Sequence, residues 1–400
     1  MLGFGGGVIY TVKMSVAPRR ARRRGTGTNA DEGANDRGGA KETSSLANDV
    51  VARFDHRTRV TAMTAAGDVV VAGETNGRVS CWRVDDGALV SYLGRCPDDG
   101  VDVSTRGVPV FVNGLSNACF QLTPFADAAL TRGRAVLEWD MRGHGCSENP
   151  RSYDTVSARS FAKDAWAVVD DFVGVSERRD VDVVAYSYGT QIALEMIRAR
   201  PRRVRAFISL LGTPERILDG LLPAWLANAT MRTATRVLGE RASAAVVGAA
   251  LKLAATAPMA IWALSRATGY LRSPYRAFVP FFEHLGRLDA RTWFRCVVDG
   301  HERGSVDVFA DANREWFVAV IEGDRDFAAP RRVVRSWERH ADFFVILRGV
   351  GHDGPTSHRE EMTALVRDVY GRVDEWWTEW VDRKYSSASR RRSNRRLNDG

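Results

Sequence analysis

Ser187 stands in the run Val183-Val184-Ala185-Tyr186-Ser187-Tyr188-Gly189-Thr190-Gln191, where an apolar stretch stops at a serine with a small residue two positions to either side. A serine lifted out of a sheet on so tight a turn is suited to attack an acyl carbonyl, provided that a base and an acid reach it. Taken alone, the string also reads as a strand end with an incidental serine. Two other loops supply the missing types. Gly323-Asp324-Arg325-Asp326 offers two aspartates, and Arg348-Gly349-Val350-Gly351-His352-Asp353-Gly354-Pro355 offers a histidine. Each follows a strand-like run. Either aspartate would equally serve as an Asx turn at a strand end.

These three sites need elements to hold them, and the chain from about residue 106 provides a regular set. Strand patterns fall at Val108–Val112, Arg134–Trp139, Val181–Ala185, Val204–Leu211, Phe317–Ile321 and Phe343–Leu347. Helical patterns fall at Phe120–Thr131, Ser157–Val173, Thr190–Arg200 and Met362–Trp380. In Ser157–Val173 the apolar positions Phe161, Ala165, Val168, Val169 and Phe172 recur at helical spacing. Strand and helix in alternation predict a parallel sheet with helical crossovers, and the largely apolar strands predict helices on both faces.

Two regions break that rhythm. Residues 215–300 read as a helical insertion between two strands, placed to cap the C-terminal edge of the sheet. Residues 58–92 read as an antiparallel meander, with turns at Asn76-Gly77 and Asp86-Gly87. The meander is similar to one blade of a WD-repeat propeller, but a propeller needs several blades. We therefore expect an antiparallel lead-in at the sheet edge.

In this order, over roughly residues 78–380, the motifs resemble the α/β-hydrolase superfamily, in the cap-bearing branch of esterases, monoacylglycerol lipases and proline iminopeptidase-like enzymes. The resemblance implies an α/β-hydrolase fold: a mostly parallel sheet flanked by helices, with a helical cap. It implies a Ser187–His352–Asp326 triad, Asp326 being preferred to Asp324 as the aspartate that matches the G-x-x-D…P loop. Asn113-Gly114-Leu115-Ser116 stands where the family usually reads His-Gly-x-x, which gives Leu115 N–H to the oxyanion hole, with Gly114 permitting the loop conformation. Tyr188 N–H, at the start of a helix, supplies the second donor. Ala185 departs from the strict G-x-S-x-G elbow. Asp140-Met141-Arg142-Gly143-His144-Gly145-Cys146-Ser147 matches a D-x-R-G-x-G-x-S turn, structural in the family, so His144 is not expected to act in catalysis, nor is His358.

The implied activity is ester hydrolysis through an acyl-enzyme, with no cofactor and no metal. Serine at the nucleophile position argues against the dehalogenase and epoxide-hydrolase branches, which use aspartate. Acyl transfer and aminopeptidase activity stay open on the same fold, the latter through Glu215 and Glu283, as does a non-catalytic binding role. Trp225, Trp262, Trp293, Phe278, Phe281 and Phe282 suggest a lipid-like or aromatic acyl group, or else only pack the cap.

Charge narrows the partners. The net +8 of this 400-residue chain lies in its ends, +3 in residues 1–50 and +6 in 383–400, leaving the body near neutral. No nucleic-acid partner is expected. Residues 1–55 read as a disordered basic leader that could be an organelle transit peptide, although Asp31, Glu32 and Asp36 argue against it. Residues 383–400 read as a disordered basic tail. Residues 58–214 and 301–382 make the core. Five scattered cysteines without a CxxC pair point to a reducing, intracellular compartment. Ala244–Leu264 has the length of a membrane span, but Lys252 and Pro258 favour buried or amphipathic helices. Peripheral membrane contact through the cap or the basic tail is compatible with this pattern.

Overall fold

In a computed structural model, residues 11–13, 50–53, 60–66, 69–74, 79–85, 88–96, 106–174, 180–309 and 314–398 are described. Most of the predicted leader lies outside them. Its described parts are strands β1 (Thr11–Lys13) and β2 (Val50–Arg53), paired antiparallel.

The remaining strands are β3 (Val60–Ala66), β4 (Val69–Glu74), β5 (Val79–Asp85), β6 (Ala88–Arg95), β7 (Val108–Val112), β8 (Val136–Trp139), β9 (Val181–Tyr186), β10 (Val204–Leu210), β11 (Phe317–Gly323) and β12 (Phe343–Leu347). They form one ten-stranded sheet in the order β12-β11-β10-β9-β7-β8-β6-β5-β4-β3. Pairing is parallel from β12 through to β8 and antiparallel from β8 through β6 to β3. The blade-like segment thus continues the main sheet edge to edge, through Tyr92 opposite Trp139 on β8.

The helices are α1 (Thr123–Leu130), α2 (Ala158–Phe172), α3 (Gly189–Ala199), α4 (Ala224–Arg232), α5 (Gly239–Thr256), α6 (Pro258–Ala267), α7 (Tyr275–Leu285), α8 (Ala290–Glu302), α9 (Arg331–Glu338), α10 (Gly354–Ser357) and α11 (Arg359–Asn398). A π-helical turn, Thr233–Leu238, joins α4 to α5. Ser157 caps α2 by accepting from Ser160 N–H.

Strand residues alternate between two cores. Val183 and Ala185 face α2, α3 and α9, whose Phe161, Ile192 and Trp337 are buried there. Val184 and Tyr186 face α1 and α11, against Phe125 and Val366. Strands β7 to β11 are buried along their length, as a sheet covered on both faces requires. Asp182 and Arg205 interrupt this apolar run, and they satisfy each other through two 2.8 Å hydrogen bonds, with Arg134 adding a third contact to Asp182.

Helices α4 to α8 fill the interval between β10 and β11. Helix α11 continues to Asn398, where the sequence reading places a disordered tail from residue 383. The Arg/Ser-rich run contains no Pro or Gly to stop it.

Candidate active site

Ser187 occupies the turn between β9 and α3 at φ 54°, in the left-handed region. The turn is possible because two neighbours lack side-chain bulk. A Cβ on Gly189 would lie 2.3 Å from the Val112 carbonyl oxygen and 2.7 Å from that of Asn113. The position two residues before the serine is less demanding, and Ala185 is fully buried there without conflict. Among the described residues, the other non-glycine residues with positive φ are Ser116 (66°) and Leu211 (52°). Leu211 follows β10, whose Leu210 carbonyl accepts the Ser187 N–H. Strained backbone therefore collects around this one turn.

Ser187 Oγ lies 2.8 Å from His352 Nε2, and His352 Nδ1 lies 2.8 Å from Asp326 Oδ2. The other Asp326 oxygen accepts from the N–H groups of Ala328 and Ala329 at 2.8 and 2.9 Å. Asp324 points elsewhere, accepting from Gly349 N–H. His352 is held between Tyr186, stacked at 5.5 Å between ring centres, and Phe327, edge-on at 6.1 Å. The Tyr186 hydroxyl donates to the His352 carbonyl at 2.6 Å. Burial alone would lower the His352 pKa. The charge and hydrogen bond of Asp326, with Asp353 beyond, outweigh it and raise the value above the ordinary 6.5.

The loop after β7 differs from expectation in one respect. Its left-handed residue is Ser116, and Gly114 serves close approach instead, since a Cβ there would sit 2.9 Å from the Ser187 Cβ. Among the described residues, neither Leu115 N–H nor Tyr188 N–H has a protein acceptor. Both flank Ser187, as an oxyanion site would require. Ser116 N–H donates to His144 Nε2 at 3.4 Å, and His144 Nδ1 faces the Arg142 carbonyl at 3.3 Å. Burial, with His284 alongside, lowers the His144 pKa to about 3, so this ring is neutral and braces the loop. Asp140 ties the same turn by accepting from Cys119 and Cys146 N–H, and Arg142 forks onto Asp164. His358 is half-buried, with its Nδ1 2.9 Å from Ser357 Oγ.

Residues 110–367 match the sequence model of the alpha/beta hydrolase family. The chain belongs to that family. No curated protein matches the sequence. Among solved structures, this hydrolase is similar to an epoxide hydrolase from Vigna radiata (16% identity, TM-score 0.54), covering 73% of this chain and 98% of that one. It is also similar to a thermophilic esterase from Thermogutta terrifontis (15%, 0.54, 74% and 99%) and an esterase from Exiguobacterium antarcticum (13%, 0.53, 72% and 97%). At these identities the likeness is one of fold.

Above Ser187 the hydrolase encloses a cavity of about 400 Å³, shared between the sheet and the cap. Phe278, Phe281, Phe282 and Trp293 line it, together with Leu251 and Ile261. Two of the aromatic residues suggested by sequence lie elsewhere. Trp225 is 72% exposed, and Trp262 packs edge-on against Tyr275. Trp293 does more than line the wall, because its indole N–H donates to Ser116 Oγ at 2.6 Å and joins the cap to the loop beside Ser187.

Two further carboxyls escaped the sequence reading. Asp353 is buried and accepts from Arg272 N–H, Ser273 N–H and Ser273 Oγ–H at 2.8, 2.7 and 2.6 Å. Glu322, at the end of β11, is buried, and its carboxylate meets no side-chain hydrogen-bond donor. Burial first, and the Asp326 charge second, push its pKa well above the usual carboxylate range, and the Gly212 backbone offsets only part of this. A single charged residue in an otherwise apolar parallel strand was the available signal for Glu322.

Proposed function

We propose that this protein hydrolyses a carboxylic ester with an apolar acyl chain, through an acyl-enzyme on Ser187. The observation that carries the reading is the continuous Ser187–His352–Asp326 hydrogen-bond chain at the floor of an apolar cavity. Neutral His352, holding its Nδ1 proton toward Asp326, accepts the Ser187 hydroxyl proton at Nε2 as Oγ bonds to the carbonyl carbon. The carbonyl oxygen becomes an oxyanion facing Leu115 and Tyr188 N–H. Collapse breaks the C–O bond to the alcohol, which leaves with the proton from Nε2. Water then repeats the sequence and frees the acid. Glu215 and Glu283 line no part of the cavity, and Asp353 is engaged by Ser273, so no free carboxylate awaits a substrate amine. This favours an ester over a peptide with a free N-terminus.

The test is hydrolysis of p-nitrophenyl esters of graded chain length by the wild type and Ser187→Ala, with fluorophosphonate labelling. We expect turnover and labelling in the wild type only. Labelling of the variant at wild-type yield would reject Ser187 as nucleophile.

A further inference from the structure

Among the residues whose burial is described, every exposed large hydrophobic side chain lies between Leu221 and Tyr270, within or beside cap helices α4 to α6. On α5 the outward positions Ala242, Val246, Ala249 and Leu253 recur every three or four residues. On α6 they are Met259, Ala263 and Leu264. The inward faces of the same helices carry Leu251 and Ile261, which line the cavity above Ser187. A soluble helix turns its polar side to water. These two turn apolar side chains to the cavity and to the solvent alike.

Charge in this segment has one sign. Arg232, Arg236, Arg241, Lys252 and Arg266 are exposed, and Glu240 is the one acidic residue between 221 and 270. Glu240 is itself neutralised by Arg291 and Arg295 from α8. Glu302 from α8 shares a crevice with Arg232 and Arg236, yet the cations remain in excess, and an apolar face with a cationic rim matches a bilayer surface bearing anionic lipids. It does not match a span. No single helix among the described residues is long and apolar enough to cross a membrane, and the chain bends by 97° between Thr256 and Pro258.

We propose that the outer face of α5 and α6 docks on an anionic membrane surface, with the acyl cavity one helix thickness away. The docking stands independently of the chemistry; the passage of a membrane-derived acyl chain to Ser187 rests on the ester-hydrolase reading.

The experiment is co-flotation of the full-length chain with phosphatidylcholine vesicles, with and without about one-third phosphatidylglycerol. It compares the wild type with Val246→Ser/Leu253→Ser/Met259→Ser and with Arg236→Gln/Arg241→Gln/Lys252→Gln. None of these six side chains lines the cavity, so soluble ester turnover and the thermal midpoint serve as folding controls. We expect binding to the anionic vesicles, at least about tenfold weaker in the serine variant and severalfold weaker in the glutamine variant. Undiminished binding of the serine variant would overturn the proposal and assign any binding to the basic C-terminal run. A lipid-free dimer lost in the serine variant would overturn it in favour of a second copy of the chain. Binding is read without turnover, so its failure is distinct from failure of the ester-hydrolase reading.

Discussion

The Asp353 carboxylate grips Ser273, accepting both its backbone N–H and its hydroxyl at 2.7 and 2.6 Å. Asp353 follows His352 and Ser273 lies in the helical segment between β10 and β11, so the wall of the cavity is bonded to the loop that carries His352. Replacing Asp353 by alanine leaves Ser273 and Arg272 N–H groups without an acceptor. We expect a loss of about 2–4 kcal/mol in stability. Limited proteolysis will show faster cleavage near residues 265–275. A cleavage pattern identical to wild type would reject this anchoring role.

In the proposed mechanism His352 must be neutral to take the serine proton. Asp326 raises its pKa above 6.5, so activity falls as the pH drops through that raised value and is full above it. Asp326→Asn removes the main raising influence. The acid limb of kcat/KM then moves to lower pH, and the plateau falls by roughly 10³–10⁴. A pH–rate profile of both forms measures the two effects separately.

Glu322 is a buried acid whose folded pKa stands well above its ordinary value. The unfolded chain ionises it near pH ~4.3, so the wild type loses stability as the pH rises from there toward the folded pKa. Glu322→Gln keeps the shape and removes that loss. Its thermal midpoint should exceed the wild type's at pH 8, with the gap closing toward pH 4. A gap that does not vary with pH would show that Glu322 titrates normally.

The two small residues of the elbow should respond to very different degrees. Gly189→Ala drives a methyl group into the Val112 carbonyl and should cost about 3 kcal/mol or more, read as loss of soluble protein. Ala185→Gly should keep the activity and lose only about 1 kcal/mol in chemical denaturation, from added strand flexibility.

Much of this geometry is legible in the sequence. The strands at 108–112, 204–211 and 343–347 were marked by apolar runs that end in Gly- or Asp-bearing turns, and the helix after Ser157 by its spacing. The order of serine, aspartate and histidine matches the α/β-hydrolase resemblance, and parallel strands deliver their C-terminal ends to one edge of the sheet. Side-chain direction was not legible. Nothing in a linear string says that Asp353 turns from its neighbour His352 toward Ser273, or that Trp293 reaches Ser116 while Trp225 faces water. Pairing across the sheet was equally hidden: Asp182 and Arg205 look like errors in two apolar strands until the strands lie side by side.

Ser116, Ser187 and Leu211 all hold φ values that suit glycine better, and they converge on one turn. For Ser187 this means that heat tolerance and chemistry select different residues. Ser187→Gly should relieve about 1 kcal/mol of backbone strain while deleting the proposed nucleophile. A library screened only for survival at high temperature would drift toward glycine at 187. Only a screen that also reads turnover would keep the serine.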